Sequence, residues 1–206
     1  MSLELRAITD DEVPAYREAV LGTFGDDPES DPGGPARLRA LIRPAQMWAA
    51  FDGGTIVATA GSFDHAIGVP GGGRIAMAGL TMVSVRPTHR RRGILRELMR
   101  LHLDDARRRG FPISGLWASE ASIYGRFGYG VAAEGDAVEI EQAHTLAFAE
   151  ERELDVVYPV DEERARRELP GIYARALADR PGALIRSEGW WRERRFLEAP
   201  FFRGGA

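Results

Sequence analysis

The pattern of apolar and polar positions predicts a strand followed by a helix at the start of the chain. Residues 3 to 7 alternate with the two-residue period of a strand, and residues 9 to 12 read Thr-Asp-Asp-Glu, a capping box that marks a helix N-terminus. Apolar residues then recur at helical spacing, at Val13, Tyr16, Ala19, Val20 and Phe24. Gly25 follows as a stop signal, so we expect the helix to end there.

A short helix, a hairpin and a long strand are predicted next. Residues 36 to 42 have the pattern of a helix, and Pro44 ends it. Residues 47 to 51 and 55 to 63 flank Asp52-Gly53-Gly54, whose composition is typical of a hairpin turn. The glycine-rich loop 68 to 73 then leads into a strand from about residue 75 to residue 85.

The middle of the chain has the order strand, helix, strand. The helix runs from Gly93 to about Arg109, Gly110 ends it, and residues 113 to 118 form the following strand. A right-handed crossover of this kind places the two strands side by side and parallel. Ligands bind beyond the carboxyl ends of such strands, so we expect Gly93 and Ser119 to border one crevice. A further strand is predicted at residues 136 to 140.

Composition excludes several kinds of chemistry. The 206 residues include no cysteine, and all 27 basic residues are arginine, which excludes thiol nucleophiles and Schiff-base lysines. The four histidines are scattered without metal-ligand spacing, so we expect no metal site. The net charge of -4 argues against nucleic acid binding, and no stretch approaches the roughly 20 apolar residues of a membrane span. We therefore expect a cytoplasmic protein.

The corner between the long strand and the next helix carries a chemical signal. Residues 83 to 95 read Val-Ser-Val-Arg-Pro-Thr-His-Arg-Arg-Arg-Gly-Ile-Leu. Amides in the first turn of a helix have no partners, and the helix dipole adds partial positive charge, so an anion such as pyrophosphate would fit there. The candidate phosphate-binding residues are Arg91, Arg92, Gly93, Ile94, Leu95 and Arg96.

A second motif lies in the same crevice. Residues 118 to 120 read Ala-Ser-Glu, and residues 123 to 130 read Ile-Tyr-Gly-Arg-Phe-Gly-Tyr-Gly. Together with Arg90-x-x-Gly93, these strings resemble the GNAT superfamily of acyl-CoA N-acetyltransferases. More specifically, they resemble the Eis group, bacterial acetyltransferases that act on aminoglycosides and other amines. Leu95 stands where many GNAT members have glycine or alanine, a departure that the Eis group tolerates.

The resemblance implies an α/β (α+β) GNAT fold, in which helices flank a mixed central sheet. It implies acetyl-CoA as the acyl donor and Tyr124 as the general acid toward the departing thiolate. Val83, Ser84 and Val85 would pair by their backbone with the pantetheine arm, and Ser119 and Glu120 would line the opposite wall. The expected function is transfer of an acetyl group to a primary amine. The alternative is a non-catalytic acyl-CoA-binding or interaction module.

An acidic loop after the first helix indicates where a cationic acceptor would bind. Residues 26 to 31 read Asp-Asp-Pro-Glu-Ser-Asp, and this segment borders the acceptor cleft in GNAT folds. Asp26 is therefore a candidate substrate-binding residue for an aminoglycoside, a polyamine-like amine or a protein lysine. The alternative is an ordinary solvated loop.

The last quarter of the chain repeats the pattern of the first residues. A strand at residues 155 to 160 precedes acidic residues and a helix through Arg175, so we predict a GNAT domain over residues 1 to 150 and an incomplete start of a second GNAT-like domain over residues 151 to 206. The Eis group carries two tandem GNAT-type domains and a third, sterol-carrier-like domain, and its full-length chains form hexamers. We therefore expect a fragment of such a protein and a homo-oligomer; the alternative to a fragment is a naturally shortened protein.

The resemblance also implies that the general base is the carboxylate at the end of the full-length chain. The sequence ends at Ala206, in the wrong part of the fold for that role; Glu120 could substitute, but the sequence does not show that it faces the amine. We expect this chain to bind acetyl-CoA but to transfer the acetyl group slowly or not at all. The aromatic residues of the last segment are expected to pack within the rest of the second domain or in a subunit contact, namely Trp190, Trp191, Phe196, Phe201 and Phe202.

Overall fold

The centre of the molecule is a mixed β-sheet flanked by helices, as expected. The computed structural model describes residues 3–134 and 158–196, and within them six strands form one sheet in the order β1-β2-β3-β4-β5, with β6 paired to β3. The strands are β1 (Glu4–Ala7), β2 (Met47–Asp52), β3 (Thr55–Gly68), β4 (Arg74–Val85), β5 (Ile113–Leu116) and β6 (Leu184–Ile185). The helices are α1 (Val13–Phe24), α2 (Gly34–Leu41), α3 (Ile94–Arg108), α4 (Glu162–Ala176) and the short α5 (Glu188–Trp190).

The first four strands form an antiparallel meander. β1 pairs with β2, β2 with β3, and β3 with β4, each in the antiparallel sense. The predicted turn at Asp52-Gly53-Gly54 is confirmed, because Asp52 lies opposite Thr55. β3 is longer than its pattern predicted, since its pairing with β4 continues to Gly68 opposite Arg74.

β4 and β5 are parallel, as the crossover rule predicts, and α3 connects them. They pair only from Met77 opposite Ile113 to Leu80 opposite Leu116, after which β5 ends. β4 continues to Val85 and bulges on the way, with a register shift relative to β3 and a positive φ of 52° at Met82. Residues 81–85 therefore pair with β3 on one side, and no described strand pairs with them on the other.

The two faces of the sheet bury separate apolar clusters. Successive residues of β2 alternate between them, with Ala49 and Phe51 in one cluster and Trp48 and Ala50 in the other. The first cluster includes residues of α1, and the second includes Ile94, Leu98 and Met99 of α3. The second cluster thus supports the N-terminus of α3, where the phosphate-binding residues are predicted.

The predicted helix ends agree with the structure in most respects. Half of the capping box at residues 9 to 12 forms, because the Thr9 amide donates to the Glu12 carboxylate at 2.8 Å while no side chain caps α1. The same carboxylate accepts two hydrogen bonds from Arg6, which lower the pKa of Glu12 to about 2. Gly25 and Gly110 follow α1 and α3 with φ of 83° and 73°, the left-handed conformation that suits glycine.

Residues 158–196 pack on the sheet that β1 to β5 form. β6 pairs with β3, and a side chain at Gly68 would come within 2.8 Å of the Arg180 carbonyl, so this close approach requires glycine. Trp190 packs against Phe63 and His65, with ring centroids 5.3 Å and 4.8 Å apart. Trp190 thus packs on this sheet, and its expected packing within a second domain or a subunit contact stays a prediction.

Other predictions for this part of the chain are confirmed or lie outside the described residues. α4 spans the helix predicted to run through Arg175, and the Asp161 side chain caps it by accepting from the Arg164 amide at 2.7 Å. Residues 158–160 are not a strand. Residues 136 to 140, and residues 155 to 157 of the other predicted strand, lie outside the described residues. Among the described helices, none has the length and apolar character to cross a membrane.

Candidate active site

The loop between β4 and α3 has an unusual backbone. A 3₁₀ turn at Pro87–His89 leads into Arg91 with φ of 61° and Gly93 with φ of 80°. No side chain caps α3, whose first-turn amides at Ile94, Leu95 and Arg96 have no partner within the helix. The loop and the helix dipole together offer unpaired donors and partial positive charge to an anion.

The open edge of β4 lies next to this loop. Val83 and Val85 are partly buried against the second apolar cluster, which includes Ile94, Leu98 and Met99 of α3 and is called the α3 cluster below. The Ser84 side chain is buried, and its hydroxyl lies 2.7 Å from the Thr59 hydroxyl. That hydroxyl is therefore paired inside the protein, and Ser84 is also a cleft-lining residue.

The opposite wall begins where β5 ends. Residues 117–120 lead into two consecutive 3₁₀ turns, Ala121–Ile123 and Gly125–Phe127, with Tyr124 between them. Gly128 has φ of 90° and reverses the chain, as predicted. Tyr124 is half-buried and packs against the α3 cluster with Phe127 and Tyr129.

These elements enclose one cleft of about 970 Å³. Most predicted site residues line it: Val83, Ser84, Val85, Arg91, Gly93, Ile94, Leu95, Arg96, Ser119, Glu120 and Tyr124. Arg92 and Asp26 are not among the lining residues. Asp26 is exposed just beyond α1, where its amide donates to the Leu21 carbonyl at 3.0 Å.

The cleft includes residues that sequence reasoning did not assign to the site. Val20, Thr23 and Phe24 line it from α1, and Trp117 lines it from the end of β5. Phe24 is 55% exposed and Trp117 is 95% exposed, which is unusual for large apolar side chains. Their helical and strand patterns gave no sign of exposure, although Phe24 immediately precedes the stop signal at Gly25.

The family of the chain follows from a comparison with known sequences. The sequence model of the family described as Acetyltransferase (GNAT) domain matches residues 4–132, which include both walls of the cleft. The chain belongs to this family. The GNAT fold expected from two short motifs is thus confirmed by a match over residues 4–132.

Curated relatives of this GNAT chain have the same kind of name. An uncharacterized N-acetyltransferase of Streptomyces coelicolor is 38% identical over 208 residues, which cover 93% of this chain and 48% of the relative. The N-acetyltransferase Eis of Mycobacterium bovis is 36% identical over 152 residues, which cover 68% of this chain and 36% of that protein. The chain spans about half the length of the Streptomyces relatives that it matches.

Solved structures show the same relationship. Eis1 from Mycobacterium abscessus superposes with a TM-score of 0.68 and 27% identity, over 93% of this chain and 46% of that chain. A probable N-acyltransferase from Enterococcus faecalis superposes with a TM-score of 0.72 over 94% of this chain and 48% of that chain. At 15% identity, the second match is a likeness of fold alone.

Charge is unevenly distributed in the GNAT cleft. Arg90, Arg91, Arg96 and Arg126 line it, and Glu120 is the one carboxylate among its described lining residues. Burial raises the pKa of Tyr124 above its usual value of 10, and the nearby Glu120 carboxylate raises it further. The Tyr124 phenol therefore stays protonated at neutral pH, near the Glu120 carboxylate that also lines the cleft.

His89 connects the phosphate-side loop to the sheet. Its Nε2 lies 3.1 Å from the Asp52 carboxylate at the end of β2, and its Nδ1 lies 2.8 Å from the Thr88 hydroxyl. Both ring nitrogens are thereby paired, and the 3₁₀ turn is tied to the β2–β3 hairpin. His89 is a cleft-lining residue whose position the sequence pattern did not reveal.

Proposed function

We propose that this chain is an acetyl-CoA-dependent N-acetyltransferase that acts on a primary amine of a cationic acceptor. The observation that carries the proposal is the convergence of three features in one cleft. These are the unpaired amides of α3, the open edge of β4 and the half-buried phenol of Tyr124. Each provides a different part of what acyl transfer from a coenzyme A thioester requires.

The donor half of the cleft has the chemistry of coenzyme A. The amides and arginines at residues 91–96 are suited to a pyrophosphate, because donors at a helix N-terminus favour anions. No described strand pairs with residues 81–85 on the side away from β3, so their backbone can pair with the amides of a pantetheine arm like an added strand. Ser119 and Glu120 on the opposite wall would complete the groove.

Tyr124 is the proposed general acid. Acetyl-CoA supplies an activated acyl group on a thiolate leaving group, whose conjugate thiol has a pKa of about 8.5 if it resembles cysteine. Full proton transfer from an unperturbed tyrosine is uphill by roughly 2 kcal/mol, and the raised pKa of Tyr124 makes it more so. Tyr124 therefore acts through a hydrogen bond that tightens as charge develops on sulfur.

Glu120 is the proposed base of this chain. The attacking amine must lose a proton, and Glu120 is the carboxylate that the described cleft residues offer. Glu120 and Tyr124 line the same cleft, and the Glu120 carboxylate raises the pKa of Tyr124, which supports a shared site. The relatives are about twice as long as this chain, and a base supplied by the rest of such a protein would make the chain alone slow.

The acceptor half of the cleft favours a cationic amine. Phe24 and Trp117 are exposed aromatic residues that line it, and an ammonium group is attracted to the face of an aromatic ring. Glu120 adds a negative charge, and Asp26 lies exposed beyond the α1 end of the cleft. We propose aminoglycosides and polyamines as acceptors, and a protein lysine as a third, because each carries a cationic primary amine.

A cytoplasmic location and self-association belong to the same proposal. The location rests on the absence of a predicted membrane span in the sequence, and self-association rests on the resemblance to the Eis group.

The second candidate function is a non-catalytic acyl-CoA-binding module. The observation that favours it is the scarcity of bases, because the described cleft offers Glu120 and a His89 whose two ring nitrogens are already paired. Such a module would bind acetyl-CoA as tightly as the enzyme does but would release no thiol.

The test is acetyl transfer to spermidine and to an aminoglycoside, followed by mass spectrometry over hours so that slow turnover is detected. We expect slow transfer by the 206-residue chain. The Tyr124→Phe variant should lose at least about tenfold in kcat, with the KM for acetyl-CoA within about twofold, because one hydrogen bond to a developing charge is lost.

Tyr158→Phe is the matched control, since Tyr158 is exposed and is not a cleft-lining residue. Its kcat should equal that of the wild type. Acetyl-CoA binding without any product favours the binding module, and an unchanged kcat in Tyr124→Phe contradicts the assigned acid.

A further inference from the structure

A buried polar network lies behind the Tyr124 wall of the cleft. The Ser114 hydroxyl on β5 lies 3.0 Å from the Ala78 carbonyl of β4, 2.6 Å from the Tyr129 hydroxyl and 2.7 Å from His102 Nε2 on α3. One serine thus joins two strands, the crossover helix and the loop that carries Tyr124.

The direction of each hydrogen bond follows from the chemistry of a hydroxyl. Ser114 has one proton and two lone pairs, and the carbonyl of Ala78 can only accept. Ser114 therefore donates to Ala78 and accepts from both the Tyr129 hydroxyl and His102 Nε2–H. This assignment uses the full hydrogen-bonding capacity of Ser114 and makes Tyr129 a donor at a fixed point.

The apolar end of Tyr129 contacts Tyr124. The two rings meet edge to face, with centroids 6.0 Å apart and an angle of 68° between their planes. The Tyr129 amide also donates to the Tyr124 carbonyl at 3.4 Å, across the reversal at Gly128. Tyr129 is thus anchored by its hydroxyl to the sheet and supports Tyr124 with its ring.

The members of this network do not contact the cleft. Ser114, Tyr129 and His102 are absent from the cleft-lining residues, although Tyr124 and Phe127 are among them. The segment that carries Tyr124 consists of two 3₁₀ turns, which have weaker hydrogen bonding than an α-helix and depend on outside support for a fixed geometry.

We propose that Ser114 and Tyr129 are positioning residues that hold Tyr124 at the angle needed to donate to the thiolate sulfur. This inference rests on the proposed function for its catalytic consequence. It goes beyond that function because it assigns a role in the reaction to two side chains that touch neither substrate.

The test compares the kcat of variants that each lack one hydroxyl group with the kcat of a matched control variant. Tyr129→Phe and Ser114→Ala should each lower kcat about fivefold to tenfold and leave the KM for acetyl-CoA within twofold, since one anchoring hydrogen bond is lost. The double variant should be no slower than either single variant, because both changes break the same bond. Ser114→Thr retains a hydroxyl and should keep most of the activity.

Tyr173→Phe is the control. The Tyr173 hydroxyl donates to the Leu184 carbonyl at 2.8 Å, outside the cleft, so this variant loses a comparable hydrogen bond without touching the Tyr124 segment. Its kcat should remain at the wild-type value.

A second readout needs no turnover. Amide hydrogen exchange in residues 121–129 should be at least about fivefold faster in Tyr129→Phe than in the wild type, and unchanged in Tyr173→Phe. Unchanged exchange there, or an equal loss of acetyl-CoA binding and kcat, would overturn the positioning role. Absence of binding and turnover in the wild type would instead contradict the proposed function, and the exchange result would still decide whether Tyr129 holds the segment.

Discussion

His102 shows at the level of a single residue how the fold fixes a protonation state. Its ring has no exposed surface and meets the edge of Trp48, with ring centroids 6.0 Å apart. Burial lowers the pKa of His102 to about 4, against a smaller opposing effect of Asp105. The neutral ring donates through Nε2–H to Ser114, so His102 contributes a permanent donor to the network at neutral pH.

This pKa predicts a specific loss of stability in mild acid. Between pH 6.5 and pH 4 the unfolded chain binds a proton on His102 that the folded chain does not, so the free energy of unfolding falls as the pH falls. The wild type should lose roughly 2 kcal/mol more than His102→Gln between pH 7 and pH 5, measured by urea unfolding. His65, whose pKa is also lowered by burial, is present in both proteins, so the difference isolates His102.

Equal pH dependence of the two proteins would show that His102 titrates normally in the folded state. Glu12 does not confuse the measurement, because its contribution to stability is lost mainly between its ordinary pKa of 4.5 and its folded-state pKa of about 2, and because both proteins contain it.

At the level of elements, the phosphate-side loop depends on its neighbours for its shape. Arg91 and Gly93 both adopt positive φ, and the Asp52 carboxylate holds the preceding turn through His89. The loop therefore belongs to a larger unit in which the β2–β3 hairpin fixes the start of α3. A residue far from the cleft in sequence can in this way control the donor site.

Asp52→Ala should weaken acetyl-CoA binding about threefold to tenfold, because the turn before the phosphate-binding amides loses its anchor. Asp10→Ala is the matched control, since Asp10 forms an exposed ion pair with Arg39 that does not involve cleft residues. Both dissociation constants can be measured by calorimetry. Equal affinities in the two variants would mean that the loop holds its shape without Asp52.

The sequence pattern predicted those elements that depend on residues close together in the chain. The β2–β3 hairpin, α3 and the parallel pairing of β4 with β5 all follow from turn chemistry, capping and crossover handedness. The pairing of β6 with β3 and the packing of Trp190 on Phe63 could not be predicted in the same way, because they join residues far apart in sequence. Nothing in residues 184–190 alone indicates which surface they will meet.

The candidate site, too, could be predicted only in part from the sequence. Its backbone features were predictable, because glycine and a helix start determine them. Side-chain directions were not, since neighbouring residues of one loop point different ways. Arg91 lines the cleft and Arg92 does not, and exposed Phe24 and Trp117 follow the same patterns as core residues.

At the scale of the whole molecule, two segments that are distant in sequence contribute strands to one sheet within the described residues. Residues 158–196 pair β6 with β3 and pack Trp190 on the cluster that includes Phe63, and Gly68 allows the close approach. The whole-chain charge of -4 gives no hint of the arginine-lined cleft, because binding depends on local rather than total charge. The match covers 48% of the Streptomyces coelicolor relative.

The most direct test of the account is a calorimetric titration of acetyl-CoA into this chain and into two aspartate variants. Gly93→Asp places a carboxylate where phosphate is expected, and Gly110→Asp places one at the opposite end of the same helix. Both glycines have positive φ, of 80° and 73°, and neither has a neighbouring atom within 4 Å of an added Cβ, so the backbone strain is matched.

We predict micromolar binding by the wild type and by Gly110→Asp, and binding at least about tenfold weaker by Gly93→Asp because like charges repel. Equal binding by all three proteins, or none by the wild type, would contradict the assignment of this cleft to acetyl-CoA.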